Sequence, residues 1–463
     1  MNIAEQITHN MHFRLLLTTG YDLIRIMKTI MIAAPASGSG KTTLTMGLIR
    51  ALKDSGYNLT CLKTGPDYID TAFLKAASGN EAGNLDLHLQ GQEGLKQAFS
   101  LAEGDLCVVE SAMGYFDGLA NTYLGSSYDI GRILGINTVL VYTPQAEMFT
   151  AIPKIKGMAE FEESSIKGII INRASEKYYQ LLKEQVEDFT DLKVLGHLPP
   201  LEDAGLKSRH LGLVQSVEIE ELDQVIETIA AKVKETIDLE ELKTLMSDVQ
   251  GEPFPSVQPR DLQVAVARDK AFSFYYRENL KLLEECCRVE YFSPLNDQHL
   301  PQCDLLYLGG GYPEVFRHEL AANRAMLQQI KSYAEQGGCT YAECGGMLYL
   351  NQSIEESAMC GVFQGESRLT DRLQRFGYIE ITLQEDCLLG RAGDKLTAHE
   401  FHKSVCTSGG KGVFAINKAM GEGGWTCGYR YKNVLAGYPH INFLGNLNAF
   451  QAMLDYAERV KIC

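Results

Sequence analysis

Two short stretches of this 463-residue chain carry residue types that could do chemistry. The first is Ala36-Ser37-Gly38-Ser39-Gly40-Lys41-Thr42-Thr43, placed between an apolar run (Thr29–Ala34) and a helix-like stretch (Leu44–Leu52). Such a loop cradles phosphate. Gly38 and Gly40 let backbone N–H groups approach the oxygens, Ser39 and Thr43 add donors, and the helix start adds positive potential. Lys41 would reach the β/γ-phosphates of ATP, and Thr42 would ligate Mg²⁺. The usual spacing puts a further glycine at position 35, where this chain has Pro35, so a chance Gly-Lys-Thr turn is the alternative. The second stretch is Thr340–Glu343 followed by Cys344-Gly345-Gly346 and an apolar helix-like run. Small residues around a cysteine between strand and helix fit a nucleophile elbow, and a helix N-terminus favours the reactive thiolate. A buried structural cysteine is the competing reading.

A thiolate nucleophile needs a base and an oxyanion hole. Backbone N–H groups of Gly309, Gly310 and Gly311, directly after the apolar run Leu305–Leu308, are the hole candidates, and His399, His402 and His440 the histidine candidates. Two further acids stand just past apolar runs. Glu110 ends Leu106–Glu110, where a parallel strand would deliver it to the ligand edge of a sheet as a Mg²⁺ ligand. A solvated strand-end glutamate is its alternative. Asp67, in Gly65-Pro66-Asp67-Tyr68, reads in isolation as turn chemistry.

The elements that must position these residues are legible as two alternating series. Strand-like runs at Thr29–Ala34, Leu59–Thr64, Leu106–Glu110, Thr138–Tyr142, Gly168–Ile171 and Val194–Leu198 are separated by helix-length stretches, the pattern of βαβ units on a parallel sheet. Gly251-Glu252-Pro253-Phe254-Pro255 and Pro259 interrupt it, since proline removes a donor and stops helices. A second series follows at Gln263–Ala267, Val289–Phe292, Leu305–Leu308 and Thr340–Glu343, and after about Phe376 the strands crowd together, suggesting a mixed edge. The expected fold is α/β with two doubly wound domains: an N-terminal P-loop parallel sheet and a C-terminal mixed sheet. The expected boundaries are 1–27 as a poorly ordered extension, 28–245 as the phosphate-binding domain, 246–260 as linker and 261–463 as the second domain.

The bulk composition narrows the function classes. A formal net charge of −16 argues against broad binding to nucleic acid or anionic membrane, though not against a local basic pocket for an anionic small molecule. No apolar run approaches the roughly 18–20 residues of a membrane helix. The 12 cysteines include no CxxC pair, which fits reduced thiols in a cytosolic protein.

Taken with Lys63-Thr64-Gly65-Pro66-Asp67-Tyr68-Ile69-Asp70, Asn84-Leu85-Asp86, Met113-Gly114-Tyr115-Phe116-Asp117-Gly118, Asn172-Arg173 and Arg209-His210-Leu211-Gly212-Leu213, the chain resembles the cobyrinic acid a,c-diamide synthase family. Arg268–Tyr276, Leu308–Glu314, Ala342–Gly346 and His399-Glu400-Phe401-His402 extend that resemblance over about residues 28–460. It implies a dethiobiotin-synthetase-like ATPase domain joined to a class I glutamine amidotransferase domain. The family amidates carboxylates a and c of the corrin ring with two ATP and two glutamine. Its loop carries the early glycine at position 34, where this chain has Ala34.

By position, the resemblance gives Lys41 and Thr42 to triphosphate and Mg²⁺, Glu110 to the metal and Asn172 to adenine. It gives Asp67, Tyr68 and Asp117 to the carboxylate-activating site, Cys344 to the glutaminase nucleophile and His440 to its base. Asn442 occupies the usual place of a third acid, so the resemblance implies a Cys–His dyad. Hydrogenobyrinic acid and nickel sirohydrochlorin are the alternative acceptors. A nonenzymatic ATPase switch with a glutamine-sensing tail is the alternative of another class, and a homodimer is left open.

Overall fold

The computed structural model describes residues 26–201, 218–407 and 412–461. The motif Arg209–Leu213 and residues 1–25 of the expected extension lie outside them.

The first sheet is built from β1 (Ile26–Ala33), β2 (Leu59–Thr64), β3 (Ala82–Leu85), β4 (Leu106–Glu110), β5 (Thr138–Tyr142), β6 (Ile166–Asn172) and β7 (Lys193–Leu198), in the order β3-β2-β4-β1-β5-β6-β7. These strands pair in parallel; β4 and β5 are mostly apolar, and β2, β4 and β5 are buried at every position, as a sheet covered on both faces requires. Helix α1 (Lys41–Asp54) packs on one face against α4 (Glu218–Thr236), and α2 (Tyr68–Ser78) and α3 (Leu87–Ser100) follow β2 and β3. Gly47 permits the α1–α4 contact, because a Cβ there would lie 2.5 Å from Ile229.

Two expected boundaries shift. Ile26 and Met27 belong to β1, not to an extension, and Ser247–Gln250 at the start of the expected linker forms β8, antiparallel to Ile26–Thr29. The segment Ser-Asp-Val-Gln buries only Val249, so it carries no strand-like apolar pattern; pairing with the open lower half of β1 makes it a strand.

The second sheet has the order β11-β9-β12-β14-β18-β17, with β9 (Gln263–Ala267), β11 (Arg288–Phe292), β12 (Leu305–Leu308), β14 (Cys339–Glu343) and β18 (Val434–Gly437) parallel and β17 (Tyr429–Tyr431) antiparallel. Between β9 and β12 run β10 (Phe272–Phe274) and α5 (Arg277–Cys286), and β13 (Gly310–Gly311) pairs with β10. Helix α6 (Gly345–Leu350) leaves the end of β14, and β15 (Arg375–Leu383) and β16 (Lys395–His402) head an antiparallel sheet beside it. The architecture is therefore α/β in both halves: a parallel sheet opening on the glycine-rich loop, followed by a mixed sheet.

The halves meet along the β3 edge. Tyr378 donates to the Asp86 carboxylate at 2.8 Å, and Arg268 pairs with Glu81 at 3.3 Å. Gly445 fits against Leu89 so closely that a Cβ would lie 1.8 Å from its carbonyl oxygen.

Candidate functional site

At the phosphate loop, Gly38 and Gly40 both take φ +77°, a left-handed conformation that favours glycine. Gly40 caps α1 without any side-chain hydrogen bond, so the helix start presents its N–H groups to the loop. A Cβ on Gly40 would lie 2.5 Å from the Asn172 amide nitrogen and 3.5 Å from the Arg173 guanidinium. Asn172 donates from that nitrogen to the Ser39 carbonyl at 2.9 Å and to Thr143 at 3.2 Å, so it braces the loop. The Ser39 hydroxyl turns back to the Ala36 carbonyl at 2.7 Å, whereas Thr43, in the first turn of α1, is half-buried.

Beneath the loop lies a charge cluster. The Thr42 hydroxyl donates to Glu110 Oε1 at 2.6 Å, and Lys63 Nζ donates to the same oxygen at 3.0 Å and to Asp70 at 2.5 Å. Glu110 is 0 % exposed, and its Oε2 has no partner among the described residues. Burial pushes its carboxyl up, against the pull of Lys63. Burial alone would lower Lys63, but Glu110, Asp70 and Asp67 hold it above the ordinary lysine value. Lys41, donating to the Met113 and Ala36 carbonyls, is lowered to about 8 by burial and by neighbouring Lys63. Lys63 was missed by sequence reasoning, because only the parallel register Lys63↔Glu110 brings the two together.

A Mg²⁺ ion is implied by such a loop. The unspent Glu110 Oε2, 0 % exposed beside the Thr42 hydroxyl, fits a hard cation that takes oxygen ligands. No cluster of three or more His, Cys, Asp or Glu able to hold a metal exists among the described residues, so phosphate oxygens and water would complete the shell.

Asp67 and Asp117 have local duties. Asp67 caps α2, accepting from the Ile69 and Asp70 amides at 2.8 and 2.9 Å, and burial raises its carboxyl. Asp117 accepts from the Gly114 amide at 2.8 Å, folding the 113–117 loop onto the Pro35 carbonyl and close enough to act electrostatically on Lys41. A second cleft of about 590 Å³ lies beside this loop, lined by Ser39, Phe116, Tyr142, Thr143 and Phe161.

In the second domain, Cys344 has φ +46°, a strained value for a non-glycine residue and the mark of a nucleophile elbow. The turn demands Gly346, whose Cβ would lie 2.2 Å from the Leu308 carbonyl oxygen. Cys344 is 8 % exposed and lies close enough to His440 to act on its imidazole. Burial opposes the imidazolium, yet Cys344 and Glu343 together raise His440 to about 10. His440 is pinned by mutual backbone hydrogen bonds with His399 at 2.8 and 3.1 Å. Burial and the neighbouring His440 lower His399 to about 3, so it stays neutral. His402 instead stacks on Tyr438 at 3.7 Å, with Nδ1 against the Ser404 carbonyl at 2.8 Å.

The triple glycine divides. The Gly309 N–H donates to the Tyr275 hydroxyl at 2.8 Å, so it is spent and is not an oxyanion donor. Gly310 packs against the ring of His440, where a Cβ would meet Cε1 at 2.5 Å, and the Gly311 N–H lies 3.1 Å from where a Gly345 Cβ would stand, beside the elbow.

Tyr68 joins the two centres. It follows Asp67 on α2, yet its ring stacks on Phe274 at 5.0 Å and lies 5.4 Å from the His440 ring. Its hydroxyl is buried without a hydrogen-bond partner among the described residues. A cleft of about 600 Å³ opens beside it, with Asn84, Arg268, Lys270, Phe274 and Tyr312 among its walls.

Comparison with known proteins agrees with this division. Residues 30–214 match the CobQ/CobB/MinD/ParA nucleotide binding domain, and residues 263–447 match the CobB/CobQ-like glutamine amidotransferase domain. The chain is 43 % identical over 438 residues to a cobyrinate a,c-diamide synthase of Clostridium tetani, covering 93 % of this chain and 100 % of the relative. It is 43 % identical to that of Clostridium acetobutylicum (91 % and 98 % covered) and 39 % to one from Listeria monocytogenes (94 % and 100 %). A glycine-bounded phosphate loop over a buried glutamate, a strained cysteine elbow with its histidine, and likeness along nearly the whole length converge: the chain belongs to the cobyrinate a,c-diamide synthase family.

Proposed function

We propose that this protein amidates the a and c carboxylates of cobyrinic acid in cobalamin biosynthesis, drawing on ATP to activate each carboxylate and on glutamine for nitrogen. The observation that carries the reading is the contact of Tyr68, rooted beside the phosphate loop, with the histidine of the cysteine elbow. The division of labour follows the two sheets, with residues 26–250 for activation and the chain from 261 onward for ammonia release.

A carboxylate is a poor electrophile, so its oxygen attacks the γ-phosphorus of ATP, the bond to the β,γ-bridging oxygen breaks, ADP leaves and an acyl phosphate remains. Lys41 and the amides from Gly38 to Thr43 offset charge on the transferring group, and Asn172 holds the loop for the nucleotide base. Thr42 and Glu110 would hold Mg²⁺, which would supply neutralisation of phosphate charge. Asp67 and Asp117 fix the loops that face the acceptor. In the other half the Cys344 thiolate attacks the glutamine amide, Gly311 and Gly345 amides receive the oxyanion, and His440 protonates the departing ammonia. Water then cleaves the γ-glutamyl thioester. Ammonia in bulk water is mostly protonated at neutral pH, so passage past Tyr68 keeps it nucleophilic until it displaces phosphate.

The test is mass spectrometry of cobyrinic acid incubated with protein, Mg-ATP and glutamine, in which two successive acid-to-amide changes are expected. Cys344→Ala abolishes amidation from glutamine and retains it from ammonium, and Lys41→Ala removes both. Equal loss of both nitrogen sources in Cys344→Ala would contradict the assignment, and so would amidation of another tetrapyrrole in preference to cobyrinic acid.

A further inference from the structure

Class I amidotransferase sites of this kind need something to orient the imidazole, and here the position two residues beyond His440 is Asn442. Its side-chain oxygen accepts from the Leu444 amide at 3.0 Å, capping a short helical turn, so that residue is committed elsewhere. His440 Nδ1 is buried and has no hydrogen-bond partner among the described residues. The charged group nearest that nitrogen comes from the other side of the nucleophile: Glu343 Oε2 stands 3.8 Å from it. We propose that Glu343, the residue immediately before the nucleophile, is the positioning acid of this site, replacing the acid missing from the histidine loop.

The surroundings of Glu343 hold its carboxyl group in a fixed place. It ends β14 and is 1 % exposed. Its Oε1 accepts from the Tyr341 hydroxyl at 2.7 Å and from the Ile441 amide at 3.1 Å, and its Oε2 accepts from the Tyr307 hydroxyl at 3.2 Å. Three donors from three elements satisfy the carboxylate without a cation, leaving its charge directed at the imidazole. The Ile441 contact also ties Glu343 to the residue after the histidine, and Asn279 grips the same loop through the Ile441 carbonyl and the Phe443 amide, both at 2.7 Å. A separation of 3.8 Å is too long for a hydrogen bond but within ion-pair reach, and a small ring rotation closes it. The role is therefore to hold the ring and to stabilise the imidazolium formed as His440 takes the thiol proton. Glu343 touches neither substrate nor the transferred nitrogen.

This inference rests on reading Cys344 and His440 as a glutaminase. Glu343→Gln keeps the shape and an acceptor for Ile441 and removes only the charge. The measurement is the pH profile of kcat/KM for glutamine hydrolysis by the full-length protein, with ammonium-supported amidation as the control for folding. Without the carboxylate the imidazolium loses its proton more readily, so the alkaline limb of the profile moves to lower pH by about one unit or more. The rate at the optimum falls roughly 10- to 100-fold, and ammonium-supported amidation stays at the wild-type rate. Glu343→Asp, which restores the charge at shorter reach, returns the limb toward its wild-type position. An unshifted profile in Glu343→Gln, with hydrolysis intact in the wild type, overturns the role of Glu343 alone. Absence of glutamine hydrolysis in the wild type overturns the glutaminase reading and this inference with it.

Discussion

Replacing Lys63 with methionine isolates the buried charge cluster beneath the phosphate loop. Its ammonium lies 3.0 Å from a Glu110 oxygen, and both side chains are almost completely buried. At an effective dielectric near 20, attraction at this distance is about 5 kcal/mol, largely offset by the cost of burying both charges. Removing one partner leaves that cost unopposed, so Lys63→Met is expected to destabilise the first domain by about 3–5 kcal/mol. For a domain of this size that lowers the melting temperature by roughly 10 °C. Differential scanning calorimetry at neutral pH measures it. A second variant, Lys63→Met with Glu110→Leu, removes both charges and should regain about 1–3 kcal/mol of the loss. Both proteins should fail to amidate from either nitrogen source, whereas glutamine hydrolysis, housed in the other sheet, persists. A Lys63→Met protein melting within a degree or two of wild type would show that Glu110 is not held by this ion pair, and the account of the cluster would fall.

Two further outcomes follow from the same geometry. Gly346→Ala places a methyl group 2.2 Å from the Leu308 carbonyl oxygen, so the elbow must shift. Glutamine-supported amidation should drop about 100-fold or more while ammonium-supported amidation survives, and equal activity from both sources would refute it. Glu278, buried on α5, is raised to about 7 chiefly by burial. Its folded form therefore holds its proton more tightly than the unfolded chain, and its contribution to stability is lost as pH rises from about 4.5 toward 7. Glu278→Gln is thus expected to be more stable than wild type at pH 8 and equal to it near pH 4, as urea denaturation would reveal; the opposite ordering at pH 8 would rule it out.

Much of the scaffold was legible because it is local. The apolar runs at Leu106–Glu110, Thr138–Tyr142 and Gln263–Ala267 coincide with strands, since a strand buried on both faces writes itself as consecutive apolar residues. The phosphate loop and the elbow were legible for the same reason, each being set by adjacent small residues. What escaped depends on residues distant in sequence. Lys63 lay inside the strand-like run Leu59–Thr64 with no chemistry assigned to it until the β2–β4 register set it opposite Glu110. Strand β8 carries one buried side chain and owes its form to its partner. The loss of Gly309 as a donor needed the Tyr275 hydroxyl, 34 residues earlier in the chain. Glu343 lay beside Cys344 in plain view, yet its relation to His440 exists only once β14 and the loop after β18 are side by side.

The first turn of α2 carries an aspartate that grips Lys63 and, two residues earlier, an aromatic ring leaning on His440. Rotating that turn by a few degrees would disturb both ends of the molecule at once. One turn of helix thus belongs to the packing of both halves, touching the buried charge cluster at one residue and the cysteine elbow's histidine at another.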